Sequence, residues 1–170
     1  MKISRLLVLA VVCAGALTSA AGASTGVKIT SVTFTGRSQT PGVIVRGEGF
    51  GTKPSVDPAY APESHQKCPK QNPALDGYDY KTNLWFADRG ASSGTTRIWT
   101  AGRFTGPAEL DCVGLIIETW TPVKVVFRFG SQYDRQATSA APSTYVLSSD
   151  DLFVVKVKSA SFRGTTRLPS

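Results

Sequence analysis

The sequence predicts an all-β sandwich of about seven strands, from three observations. β-Branched and aromatic residues come in short runs, and the clearest runs alternate apolar with polar residues. No segment carries the 3.6-residue apolar period of an amphipathic helix. Clusters of Gly, Pro, Ser and Thr separate the runs, as turns do.

The N-terminus comes before the sandwich. Lys2 and Arg5 precede an apolar run from Leu6 to Leu17, and Ala21-Gly22-Ala23 then offers small residues for cleavage. This is the pattern of a secretory signal peptide over 1–23, and the run is too short to cross a bilayer as a helix. Residues 24–170 are then a single exported domain, secreted and extracellular. No other segment is long and apolar enough to span a membrane once the signal is removed.

Seven runs read as strands: 27–35, 42–47, 83–87, 95–100, 113–120, 123–129 and 152–158. In the sixth, Val123, Val125, Phe127 and Phe129 fall on one face, with Lys124, Val126 and Arg128 on the other. In the seventh, Phe153, Val155 and Val157 point one way, while Lys156 and Lys158 share the opposite face. Both are half-buried strands. Trp120-Thr121-Pro122 leaves room only for a tight hairpin connection between the fifth and sixth runs. Seven such strands suit an Ig-like sandwich.

The segment 52–80 carries Pro54, Pro58, Pro62, Pro69 and Pro73, so it cannot be a central strand and reads as a long loop. The polar, Ala/Ser-rich stretch 130–143 reads as a mobile connection. Of the three cysteines, Cys13 leaves with the signal. Cys68 and Cys112 remain in an oxidising compartment, where an even count favours a disulfide. That bridge would pin the long loop and contribute about 4 kcal/mol.

Two motifs resemble the IPT/TIG family of Ig-like domains. Ile29-Thr30-Ser31-Val32 followed by Val43-Ile44-Val45-Arg46-Gly47-Glu48-Gly49-Phe50-Gly51 resembles the family's opening strand and its V-x-V-x-G-x-G-F turn. Ile117-Glu118-Thr119-Trp120-Thr121-Pro122-Val123-Lys124-Val125-Val126-Phe127 is similar to its later hairpin. The resemblance implies an Ig-like sandwich and is almost silent on function. The loop 52–80 and the segment 83–112 are longer than a minimal domain of this kind needs. Apart from the family, Gly47 and Gly49 are expected to take positive φ and to drop Phe50 into the core. The same glycines do not form a phosphate loop, because no lysine and no helix follow them.

The residues point to binding more than to catalysis. His65 is the only histidine and lies in the proline-rich loop, and no nucleophile elbow occurs. Carboxylate pairs for a hydrolase would come from Asp76, Asp79, Asp88, Glu109 and Asp111. Asp76, Asp79 and Asp111 are weak calcium candidates, with Asp76-Gly77 more simply a turn. No cofactor is implied. Placing Leu84, Phe86 and Ile98 inside turns Trp85 and Trp99 outward, where aromatic rings stack on sugars or on a protein. Tyr78 and Tyr80 would extend that platform. The alternative is that the long loop covers both tryptophans as a second small core. Lys124, Arg128, Lys156 and Lys158 are expected to form a basic ridge on neighbouring strands, and the net charge of +7 favours anionic contacts. The bland account of these lysines and arginines is edge protection and solubility.

The expected function is therefore that of a secreted, non-catalytic module binding an extracellular glycan or protein through exposed aromatics. Nucleic acid is not an expected partner of an exported chain. A hydrolase of extracellular polymers and a structural extracellular protein without a small ligand are the alternatives.

Overall fold

The structure is a computed structural model, described here over residues 26–56, 73–91, 98–103, 113–133 and 145–169. The expected signal peptide, His65, Glu109, Asp111 and the Cys68–Cys112 pair lie outside the described residues.

Among the described residues, eight strands and one short helix follow in chain order: β1 (Lys28–Thr35), β2 (Gly42–Glu48), α1 (Pro73–Asp76), β3 (Leu84–Ala91), β4 (Trp99–Ala101), β5 (Leu115–Thr121), β6 (Lys124–Phe129), β7 (Asp151–Val157) and β8 (Ala160–Thr165). They form two four-stranded antiparallel sheets, ordered β1-β2-β6-β5 and β4-β3-β7-β8. Each of the seven expected runs overlaps a strand, the fourth (95–100) by only its last two residues, with 95–97 outside the described residues. The eighth, β8, was not expected, because Ser161, Arg163 and Thr165 face water and Phe162 is its one large apolar residue.

Alternation builds the core. Val43 and Val45 of β2, and Val125, Phe127 and Phe129 of β6, turn inward from the first sheet. Leu84 and Phe86 of β3 meet them from the second sheet, with Phe153, Val155 and Val157 of β7. Phe86 is the hub of the aromatic packing. It stacks on Phe153 at 5.7 Å and meets Phe129 edge-on at 5.2 Å, so the rings tie both sheets together.

A bulge in β5 lies between Ile117 and Thr119. It shifts the pairing so that Ile117 opposes Phe127 and Trp120 opposes Val125, both inward partners. Glu118 is left exposed and reaches Arg128 at 3.4 Å.

The glycine-rich end of β2 is fastened to the β5–β6 hairpin. Gly47 N–H donates to the Val123 carbonyl at 3.0 Å, Phe50 N–H to that of Pro122 at 2.9 Å, and Trp120 Nε1 to that of Gly51 at 3.0 Å. Phe50 is fully buried, as expected. Gly49 and Gly51 take positive φ, at 72° and 60°. Gly47 does not; its role is close approach, since a Cβ there would lie 2.0 Å from the Lys28 carbonyl oxygen.

The described ends of the two irregular segments pack against the body. Tyr78 forms a bridge with Leu115 of β5, and α1 sits against the same strand. Gln132 and Tyr133 are buried, and the Tyr133 hydroxyl donates to the Ser38 carbonyl and accepts the Leu147 N–H. The first residues of 130–143 are therefore anchored rather than loose.

Candidate ligand-binding face

The outer face of the β4-β3-β7-β8 sheet carries the candidate site. Residues paired across an antiparallel ladder share a face, so the register places the side chains. Trp85 of β3 is paired with Lys156 of β7, which is paired with Ser161 of β8. In the next row Ala87 is paired with Val154, and Val154 with Arg163. Leu152 is paired with Thr165 one step further on. Arg89 continues the outward alternation of β3 into an irregularity between Asp88 and Ala91, where Gly90 takes a φ of 77°.

These side chains enclose a shallow concavity of about 580 Å3, lined by Trp85, Arg89, Leu152, Val154, Arg163 and Thr165. Its floor is apolar, and Leu152 keeps 44% of its surface exposed. Among the described residues, none that lines it is acidic. Among the described residues, Arg89, Lys156 and Arg163 have no ion-pair partner.

Several expected site residues lie elsewhere. Trp99 is a core residue, only 1% exposed, and Ile98 is the outward one at 57%. The cause is register. Asp88 pairs with Trp99 and Phe86 with Ala101, so when β3 turns Phe86 and Asp88 inward, Trp99 goes with them. Its ring packs against Phe129 at 5.4 Å and Tyr133 at 5.7 Å. Tyr80 is also buried, and burial, with the neighbouring Tyr78, pushes its hydroxyl pKa up to about 12. Tyr78 is half-buried against the core, with its ring edge-on to Tyr80. Neither tyrosine joins Trp85 on the outer face.

The expected basic ridge is split. Lys124 and Arg128 belong to β6 in one sheet and Lys156 to β7 in the other. Arg128 is paired with Glu118. Lys158 sits in the β7–β8 turn with a φ of 52°, and its Nζ lies near Gly51. Only Lys156 of the four is in the face with Trp85.

The calcium candidates are engaged in local structure. Asp76 Oδ1 accepts the Ser131 hydroxyl, and Asp79 Oδ1 accepts the Lys81 N–H in a turn. No group of three or more His, Cys, Asp or Glu side chains suited to a metal occurs among the described residues.

Asp88 is enclosed beneath β3, on the opposite side from Trp85. Its Oδ2 accepts from Trp99 Nε1 at 2.9 Å and its Oδ1 from Gly90 N–H at 2.7 Å. Burial pushes its pKa up to about 6. The Gly90 N–H opposes that shift, the nearby Asp151 adds to it, and Trp99 opposes it. Asp151 Oδ2 accepts the Ser148 N–H at 2.7 Å, and its Oδ1 is buried without a hydrogen-bond partner. This carboxylate pair is shut away from solvent, with Asp88 and Asp151 both buried.

Arg89, Arg163, Leu152, Val154 and Thr165 were missed by sequence reasoning. Arg89 was within reach, because the alternation of Trp85 and Ala87 continues to it. Arg163 and Thr165 needed β8, whose weak apolar pattern concealed the strand.

Comparison with protein-family models, curated proteins and solved structures returns no match for this chain.

Proposed function

We propose that this chain is an exported, non-catalytic binding module that holds an extracellular glycan on the outer face of its β4-β3-β7-β8 sheet. The observation that carries the reading is Trp85 flanking an apolar-floored concavity of about 580 Å3. A flat aromatic wall beside an apolar floor matches the C–H face of a sugar ring, and the guanidinium groups at the rim supply polar contacts. We also assign the fold to the Ig-like sandwiches of IPT/TIG type. Two points support this. The sheet orders β1-β2-β6-β5 and β4-β3-β7-β8 correspond to the A-B-E-D and C′-C-F-G orders of Ig-like domains. The two motifs that resemble the family are also bonded to each other through Gly47, Phe50 and Trp120.

The test is retention of the secreted protein on a panel of insoluble polysaccharides and cell walls, comparing wild type with Trp85→Ala. Wild type should be retained, and the variant should lose about tenfold or more in affinity while its melting temperature stays within a few degrees. Equal retention of both proteins, or none of wild type, would refute this reading. N-terminal sequencing of the secreted material should begin at Ser24 if the signal is cleaved as expected.

A further inference from the structure

We infer that the ligand of this face is an acidic polysaccharide, whose carboxylate or sulfate groups are taken by Arg89 and Arg163 while a sugar ring lies against Trp85. The inference rests on the glycan reading above and specifies its chemistry.

Charge is the first argument. Three cations, Arg89, Lys156 and Arg163, project from one side of one sheet. Among the described residues none of the three has an ion-pair partner, and none of those lining the concavity they border is acidic. The opposite sheet also carries cations without an ion-pair partner among the described residues, Arg46 beside Lys124, although Arg128 there is matched by Glu118 at 3.4 Å; what sets this face apart is that its cations border a concavity. Unneutralised cations around an apolar floor raise the local concentration of anions and set the sign of the ligand.

Spacing is the second. Arg89 stands on β3 and Arg163 on β8, with β7 between them. Two strand spacings across the sheet and a two-residue step along it separate their backbones by about 12 Å. Two planar forks held apart in this way suit acid groups repeated along a polymer, and each fork accepts a carboxylate or sulfate through paired N–H donors.

The floor is the third. It is the face of a hydrogen-bonded sheet, so the main-chain groups of β3 and β7 beneath it are used within the ladder. A peptide strand could not extend the sheet there, and recognition must run through side chains. The side chains on offer are a flat ring, short aliphatic groups, a Thr165 hydroxyl and guanidinium forks. That set reads a charged sugar better than a peptide backbone.

The test compares the secreted wild-type protein with Arg89→Gln, Arg163→Gln, Trp85→Ala and the control Arg46→Gln, an exposed arginine on the other sheet. The probes are polygalacturonate and chondroitin sulfate as acidic polymers, dextran as a neutral one, and poly-glutamate as an acidic peptide. Thermal melts check that each variant is folded. Wild type should bind an acidic polysaccharide at least tenfold more tightly than dextran. Each of Arg89→Gln and Arg163→Gln should cost about tenfold and flatten the salt dependence, while Arg46→Gln should change neither. Equal binding to dextran, lost in Trp85→Ala but not in the arginine variants, would overturn this inference and leave the glycan reading standing. Binding to poly-glutamate as tight as to the polysaccharides would overturn the choice of a sugar. An equal loss in Arg46→Gln would reduce the effect to general charge and overturn the site. No binding to any polysaccharide would overturn both readings.

Discussion

Replacing Trp99 by Phe should destabilise the domain by an amount that depends on pH, and the dependence comes from Asp88. Trp99 is packed among Phe86, Phe129, Tyr133 and Tyr145, and its Nε1 donates to Asp88 Oδ2 at 2.9 Å. Phenylalanine keeps a ring in place but leaves a void on the order of 40 Å3, costing about 1 kcal/mol at any pH. It also removes the donor. A hydrogen bond to a charged group is worth about 1.5–3 kcal/mol, and one between neutral groups about 1 kcal/mol. Asp88 changes from neutral to charged as pH rises through about 6. The destabilisation should therefore be about 2.5–4 kcal/mol at pH 7.5 and about 2 kcal/mol at pH 4.5. The wild-type trend has the complementary sign. The folded pKa of Asp88 is raised from 3.8 to about 6, so its contribution to stability is fully present below 3.8 and is lost as pH rises through 6. The loss is at most about 3 kcal/mol. Urea denaturation followed by far-UV circular dichroism at both pH values, on wild type and variant, measures the difference. Because it is a difference, the other titrating groups cancel. A cost that stays constant within about 0.5 kcal/mol, or grows at the lower pH, would refute the role given to the Asp88–Trp99 bond.

Two further substitutions probe how the sheets are held. Gly47→Ala should cost about 1–3 kcal/mol, because its Cβ would meet the Lys28 carbonyl oxygen at 2.0 Å and Phe50 Cζ at 2.6 Å, forcing β1 away from β2; a melting temperature equal to wild type would show that this approach is not needed. Tyr133→Phe removes a hydroxyl that donates to the Ser38 carbonyl and accepts from Leu147 N–H at 2.8 Å. It should cost about 1–3 kcal/mol in chemical denaturation with no change in the m-value, and a neutral result would mean that water replaces the bonds.

The candidate face was half legible in the sequence. Alternation marks both Trp85 and Lys156 as outward, and the ladder pairs them directly. Trp99 is buried against expectation because β4 is three residues long, and its own sequence, Trp99-Thr100-Ala101, is too short to choose a face by alternation. Its pairing with Asp88 and Phe86 chose it. The basic ridge failed for a related reason. Lys124, Arg128 and Lys156 all point outward from their strands, but which strands are neighbours depends on the sheet order, and β6 and β7 fall in different sheets. β8 escaped notice because an edge strand open to water needs few apolar residues to pair.

Local pattern alone determined that the domain is made of strands, where most of them lie, and which residues of β6 and β7 enter the core. Period-two alternation is a property of a single strand, and burying one face of it is enough to write it into the chain. Tertiary structure decided which strand lies beside which, the bulge that turns Ile117 and Trp120 to the same side, and the gathering of Trp85, Arg89 and Arg163 around one concavity. Those relations join residues as far apart as 85 and 163. They are set by how two sheets share a core, which is a property of the whole fold rather than of any segment.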